Sequence, residues 1–328
     1  MDRDTLERQQ IPIYFVAVLA AALGGLMAPS AAQGLELLVT PAIAVLMYAM
    51  FLQIPFLNLR EGLGSKPFMA ALLIANFILI PLLVWALTRV LTGHPAILVG
   101  ALLVLLTPCI DYVVVFTHIG KGDSRLVLSA TPILLLLQLA LLPLYLGIML
   151  SGVSGVVVSV GPFIEAFLAL IVAPLILALI TEALVKRSAA VKAWADAWAW
   201  LPVPAMAAVL IVVVGSQITP VVRDIERLAP VIPVYIVFLF LAPLVGALTA
   251  RLFKLPAGAA RAVTFSSSTR NSLVVLPLAL ALPEEIRGLA AAAVITQTLV
   301  ELIGELIYIR AIPALLCRDR PGLARTTR

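Results

Sequence analysis

Charge is scarce in this chain: Asp, Glu, Lys and Arg make up 12% of 328 residues, and there are 2 histidines and 2 cysteines. Each shortage excludes something. So little charge, beside 63% apolar residues and a mean hydropathy of +1.15, lies outside the range of a soluble domain of this length. Cys109 is expected inside the membrane and Cys317 in the cytoplasmic tail, so no disulfide framework is expected. His94 and His118 do not form a His-Glu-x-x-His pattern, there is no phosphate-binding loop, and no close pair of intramembrane aspartates suggests proteolysis. An enzyme, a bound metal and any other cofactor are therefore not expected.

Long apolar runs fill the chain instead. Cut at Pro, Gly and charged clusters, it gives ten runs, near 12–29, 35–57, 67–91, 95–119, 126–150, 160–185, 199–219, 229–253, 257–282 and 286–312. Each approaches the roughly 17 to 25 residues that a bilayer-crossing helix needs. The connecting segments are too short for a soluble domain, so the chemistry is expected within the bundle. With both termini in the cytoplasm, only Arg89, Arg223, Arg227 and Arg287 face the opposite side and Arg270 lies within a span; the rest of the 22 basic residues are cytoplasmic. That bias follows the positive-inside rule and accounts for the net charge of +5 without nucleic-acid binding. The expected location is the cytoplasmic (inner) membrane. The first run, ending Ala28-Pro29-Ser30-Ala31-Ala32, is read as a span and not as a cleaved signal, because its flank Met1–Arg8 carries the acids Asp2, Asp4 and Glu7 and its removal would unbalance the two halves.

Two polar interruptions break the apolar pattern: Thr107-Pro108-Cys109-Ile110-Asp111-Tyr112 and Ser266-Ser267-Ser268-Thr269-Arg270-Asn271-Ser272. A shift of 162 residues superposes them, together with Pro81-Leu82 on Pro243-Leu244 and Arg89 on Arg251. Each falls in the fourth span of its half. Halves of five spans must enter the membrane in opposite senses, which is the inverted repeat of secondary transporters. The expected fold is all-α and polytopic, with repeats 1–155 and 156–328 and discontinuous helices four and nine crossing near the midplane. Pro108 removes a backbone donor and disfavours helix at Thr107, while the Ser, Thr and Asn side chains of 266–272 can bond freed backbone groups. Half-helix N-termini aimed at the crossing would favour an anion. Alternatively, Pro108 only kinks a packed helix and the small hydroxyl residues let neighbours approach.

Thr107 to Phe116, followed by Gly120-Lys121-Gly122-Asp123, resembles the fourth helix and following loop of arsenite-efflux permeases, within the bile acid:sodium symporter superfamily. Arg270-Asn271-Ser272, followed by Leu273-Val274-Val275, resembles that superfamily's Gln-Asn-Ser signature in the ninth helix. The resemblance implies a core domain of helices three to five and eight to ten, moving against a panel of helices one, two, six and seven. It also implies a substrate role for Cys109, whose thiolate is a soft ligand suited to As(III), although a lone buried cysteine also serves as a small packing residue. Thr131 matches a threonine that helps to hold sodium in the bile-acid branch, or is a packing threonine here.

The departures matter more. Aligned on Asn271-Ser272, Ser266 stands where the sodium symporters carry a glutamate and Arg270 where they carry a sodium-binding glutamine; aligned on the arsenite permeases, Ser272 stands at their ninth-helix glutamate. A site that loses a carboxylate and gains a permanent cation should bind sodium poorly. Arg270 is therefore expected to occupy the place of a bound cation, neutralised by Asp111, Glu301 or Glu305, as a switch or as a permanent structural pair. Substrate contacts are expected from Thr107, Cys109, Asp111, Ser268, Thr269, Arg270, Asn271 and Ser272; Asp111, Arg270, Glu301, Glu305 and Thr131 are expected to serve coupling or charge pairing. Asn76, Gln138, Gln217, Thr296 and Gln297 complete the site or bond across helices, and Trp194, Trp198 and Trp200 form an interfacial belt. The expected function is secondary active transport, by alternating access, of a small anion or a metalloid oxyanion such as arsenite, without a normal sodium site and with proton coupling open. A sodium- or proton-coupled symporter of a small organic anion, a channel, and a non-transporting sensor are the alternatives.

Overall fold

The computed structural model describes residues 3–53, 65–110, 112–151, 165 and 168–318. Among them every named element is helical, and the one β-type pairing is an isolated antiparallel bridge between Pro108 and Arg270. Four helices are long and apolar enough to cross a membrane: Lys66–Leu91, Ser124–Met149, Pro202–Arg223 and Val231–Leu252. The helices follow as α1 (Arg3–Met27), α2 (Glu36–Phe51), α3 (Lys66–Leu91), α4 (Pro95–Leu105), α5 (Val113–Ile119), α6 (Ser124–Met149) and α7 (Ala173–Val185). Then come α8 (Ala189–Trp198), α9 (Pro202–Arg223), α10 (Val231–Leu252), α11 (Ala257–Ser268), α12 (Ser272–Leu280) and α13 (Glu284–Ala311).

Local chemistry sets several boundaries. Pro95 opens α4, where a missing N–H costs nothing. Asp123 caps α6 by accepting from Leu126 N at 3.3 Å, and Ser188 caps α8 by accepting from Val191 N at 3.4 Å. Inside α3 the α-helical ladder gives way to a π-helical turn at Ala75–Leu79, a wide turn of the kind that gathers at functional sites.

The chain divides into two compact units. One consists of Met1–Leu57, Val157–Ala229 and Leu273–Ile295. Its tightest seam is α1 on α9: a methyl at Gly25 would lie 2.4 Å from Gly215 O, so only glycine permits that approach. Thr219 Oγ1 ties the seam by donating to Gly25 O at 3.0 Å. Trp194, half exposed on the amphipathic α8, donates its indole N–H to Tyr48 OH at 2.9 Å, and Tyr48 OH lies 3.0 Å from Thr181 Oγ1.

The other unit consists of Asn58–Val156, Pro230–Ser272 and Thr296–Arg328. Here α10 packs along α11, which also touches α3, α5 and α6, so α11 is the central element. Gly246 makes the α10 contact possible: a methyl there would sit 2.8 Å from Thr264 Cα and closer still to Ser267 Oγ. Both helix interruptions of the sequence, between Leu105 and Val113 and between Ser268 and Ser272, fall within this unit.

Candidate functional site

The two interruptions are joined through their main chains. Cys109 N donates to Thr269 O at 3.0 Å and Asn271 N donates to Thr107 O at 2.8 Å, one on each side of the Pro108–Arg270 bridge. Groups that a continuous helix would satisfy internally thus satisfy each other, which buried backbone in an apolar interior requires. Thr107 Oγ1 turns back to Leu103 O at 2.8 Å, and Ser268 Oγ bonds Thr264 O, so these two hydroxyls close the ends of α4 and α11.

Arg270 extends from this bridge with 0% exposure, the largest fully buried side chain of the structure. Among the described residues, its guanidinium is held by neutral oxygens. Nη2 donates to Asn76 Oδ1 at 2.9 Å and to Ser266 O at 2.7 Å, while Nη1 donates to Leu105 O at 3.5 Å. Ser266 and Leu105 belong to the last turns of α11 and α4, where carbonyls lose their intrahelical partners and the helix dipole is negative. Carbonyls at half-helix C-termini and a carboxamide oxygen are the ligands that a hard cation takes. The face of Phe238 adds a cation–π contact, 5.8 Å from the guanidinium carbon. The π-turn of α3 carries Asn76, which holds its orientation by donating Nδ2 to Leu72 O and Ser266 Oγ, both at 3.1 Å.

The described acids do not meet the guanidinium directly. Among the described residues no carboxylate lies within ion-pair distance of it, because the side chain folds toward α3 and the ends of α4 and α11. Glu301 meets Arg270 at the backbone instead, its Oε2 accepting Arg270 N at 2.9 Å and Gln297 Nε2. Tyr112 OH lies 2.6 Å from Glu301 Oε1 and 2.9 Å from Arg270 O. Glu305 Oε1 lies 2.6 Å from Thr269 Oγ1, and its Oε2 has no hydrogen-bond partner among the described residues. Asp111 lies outside the described residues.

Of the remaining expected residues, Asn271 is fully buried, Ser272 is buried with no partner for its Oγ among the described residues, and the buried Thr131 donates to Val127 O of its own helix at 3.1 Å. Gln138 is buried with neither amide atom bonded among the described residues, whereas Glu165 and His118 are exposed. A cavity of about 10 Å³ is lined by Leu105, Tyr235, Phe238, Leu239, Ser268, Gln297, Val300 and Glu301, space for about one water. That cavity is too small to hold an organic anion.

Three contributors carried little signal in the sequence. Tyr112 stood inside the first interruption but only its hydroxyl, a polar handle on an aromatic ring, could have marked it. Phe238 is one of many apolar residues in α10. Arg261 counts with the cytoplasmic charges in the sequence, yet it is 4% exposed and donates from Nε to Cys317 O and from Nη1 to Lys121 O, both at 3.0 Å.

No curated protein matches the chain. The model of the sodium bile acid symporter family matches residues 40–224, more than half of the chain, ending before the Arg270 segment. With its apolar helices and broken crossing, the chain is a multi-pass membrane protein of the transporter kind, and it belongs to the sodium bile acid symporter family.

Proposed function

We propose that the protein is a secondary active transporter of a small organic anion, working by alternating access, in which the guanidinium of Arg270 takes the place of a bound sodium ion. The observation that carries this reading is the set of neutral oxygens around Arg270: Asn76 Oδ1, Ser266 O and Leu105 O at 2.7 to 3.5 Å. Such a cage suits a monovalent cation and is already filled by the chain itself. A covalently held positive charge at the crossing attracts a carboxylate without ion binding, so transport should proceed when sodium is removed. The reading includes ten spans in two inverted repeats of five, 1–155 and 156–328, both termini cytoplasmic, in the inner membrane. Helix in the apolar stretches beyond the four long spans supports it. Substrate contacts are assigned to Thr107, Cys109, Asp111, Ser268, Thr269, Arg270, Asn271 and Ser272, reached when the crossing opens.

The test is uptake of labelled small carboxylates into proteoliposomes, in sodium and in choline medium, with counterflow to separate a carrier from a channel. Equal saturable uptake in both media supports the reading, and strict sodium dependence overturns it.

A second reading rests on Cys109, whose backbone joins the crossing beside Arg270 and whose thiol is fully buried. A soft ligand at that place fits arsenite. Arsenic resistance of an efflux-deficient host, lost in Cys109→Ser, would favour it over the organic-anion reading.

A further inference from the structure

Among the described residues of its unit, Glu305 is the least satisfied buried acid. It is 0% exposed, its Oε2 has no partner among the described residues, and its Oε1 has one contact, Thr269 Oγ1 at 2.6 Å. That hydroxyl owns a single hydrogen and also lies 2.8 Å from Phe265 O, the carbonyl four residues back that a threonine at a helix end ordinarily bonds. With the threonine hydrogen on Phe265 O, the 2.6 Å contact needs a hydrogen from the carboxyl side.

Comparison with Glu301, one turn earlier on α13, decides which acid holds it. Glu301 receives Arg270 N and Gln297 Nε2, two N–H donors that favour an ionised carboxylate. Tyr112 OH also stands between two acceptors, Glu301 Oε1 and Arg270 O, but Glu301 keeps both N–H donors whichever way that hydrogen turns. Glu305 has none. Charge agrees with hydrogen: Arg270 balances one carboxylate, and a second anion with a bare oxygen would be far more costly in an apolar interior than a neutral acid. Of the titratable groups, Glu301 and Tyr308 on its own helix interact with Glu305, while Arg270, Tyr112 and Cys109 gather at the bridge and Tyr235 on α10 shares a cavity with Glu301. Tyr308 offers no hydrogen, since it donates to Leu239 O.

We infer that Glu305 is a proton-binding site: a neutral carboxylic acid that donates to Thr269 Oγ1, one residue from the fixed charge of Arg270. On the transport reading above, the proton is the exchangeable monocation of a crossing whose sodium position is permanently occupied. Release of the proton to water reverses the bond. Thr269 then turns its hydrogen from Phe265 O to the carboxylate, and a carbonyl in the last turn of α11 loses one of its donors beside the bridge.

Infrared spectra of the full-length protein in an ester-free detergent at neutral pH test this without any transported substrate. The wild type should show a protonated-carboxyl C=O band that moves in D2O, is lost in Glu305→Gln and survives in Glu301→Gln. Thr269→Val, which keeps the acid but removes its acceptor, should raise the frequency of the band. A wild type without the band, an undiminished band in Glu305→Gln, or an unmoved band in a folded Thr269→Val protein would overturn the assignment. A protein with this band that moves no anion would refute the transport reading alone, and a sodium-independent carrier without it would refute the proton site alone.

Discussion

Asn76 Oδ1 accepts a hydrogen bond from Arg270 Nη2 at 2.9 Å, while Asn76 Nδ2 donates to Ser266 Oγ at 3.1 Å. One carboxamide therefore orients the buried cation and ties it to the helix that precedes the bridge. Asn76→Ala removes a hydrogen bond to a charged group, worth about 1.5–3 kcal/mol, and leaves Ser266 Oγ without this donor. The melting temperature in detergent should fall accordingly. Asn76→Asp, by contrast, places a charge directly on Arg270 and should hold the crossing shut, giving a stable protein with slowed anion uptake.

The oxygen cage around Arg270 should accept an ion once the guanidinium is gone. In the double variant Ser266→Glu with Arg270→Gln, a carboxylate and a carboxamide replace a hydroxyl and a permanent cation, leaving oxygens for a hard cation. Sodium should then raise the melting temperature of the variant and not that of the wild type, with choline inert in both. Ligand at 100 times its Kd adds about 2.7 kcal/mol, large enough to read in a thermal shift.

Gly246 should tolerate no side chain. A methyl there would meet Thr264 Cα at 2.8 Å, and backbone cannot step aside as a flexible side chain can. Gly246→Ala should separate α10 from α11 at a cost of about 1–3 kcal/mol, seen as lower thermal stability. Gly147, whose added methyl would meet nothing within 4 Å, is the matched control.

Cys317, just beyond α13, reports on the packing of that end of its unit. Burial pushes its thiol up from the ordinary cysteine range, against smaller opposing effects of the Thr264 hydrogen bond, Arg251 and Arg261. Maleimide labelling should be slow and should rise only above the pH at which an exposed thiol reacts. The folded state holds this proton more tightly than the unfolded one. Its contribution to stability is therefore complete below the ordinary thiol range and declines as the pH climbs through the raised folded value. Arg261→Met, which removes the bonds to Cys317 O and Lys121 O, should speed labelling and lower stability by about 2 kcal/mol or more.

Much of the crossing was legible because it depends on local chemistry. Pro108 cannot continue a helix, and the hydroxyl run before Arg270 offers side-chain bonds to freed carbonyls, so both interruptions announce themselves in an apolar background. The partners were not legible, because partners are chosen by tertiary packing. Nothing in Ala75–Leu79 announces a π-turn, so the presentation of Asn76 to Arg270 was hidden among several plausible polar residues. Glu301 and Glu305 stand one turn apart and look equivalent in sequence, yet one collects two N–H donors and the other a single hydroxyl contact. Arg261 illustrates the same limit: it was counted with the cytoplasmic charges, and only the fold shows it buried and clasping two chain segments.

The bridge between Pro108 and Arg270 is made of peptide groups alone. Its two backbone hydrogen bonds do not depend on the side chains of Cys109, Thr269 or Asn271, so those side chains can be exchanged without removing either bond. Evolution could thereby swap a mineral counter-ion for an amino-acid side chain, or one cargo for another, while the mechanical linkage between the two broken rods stayed intact.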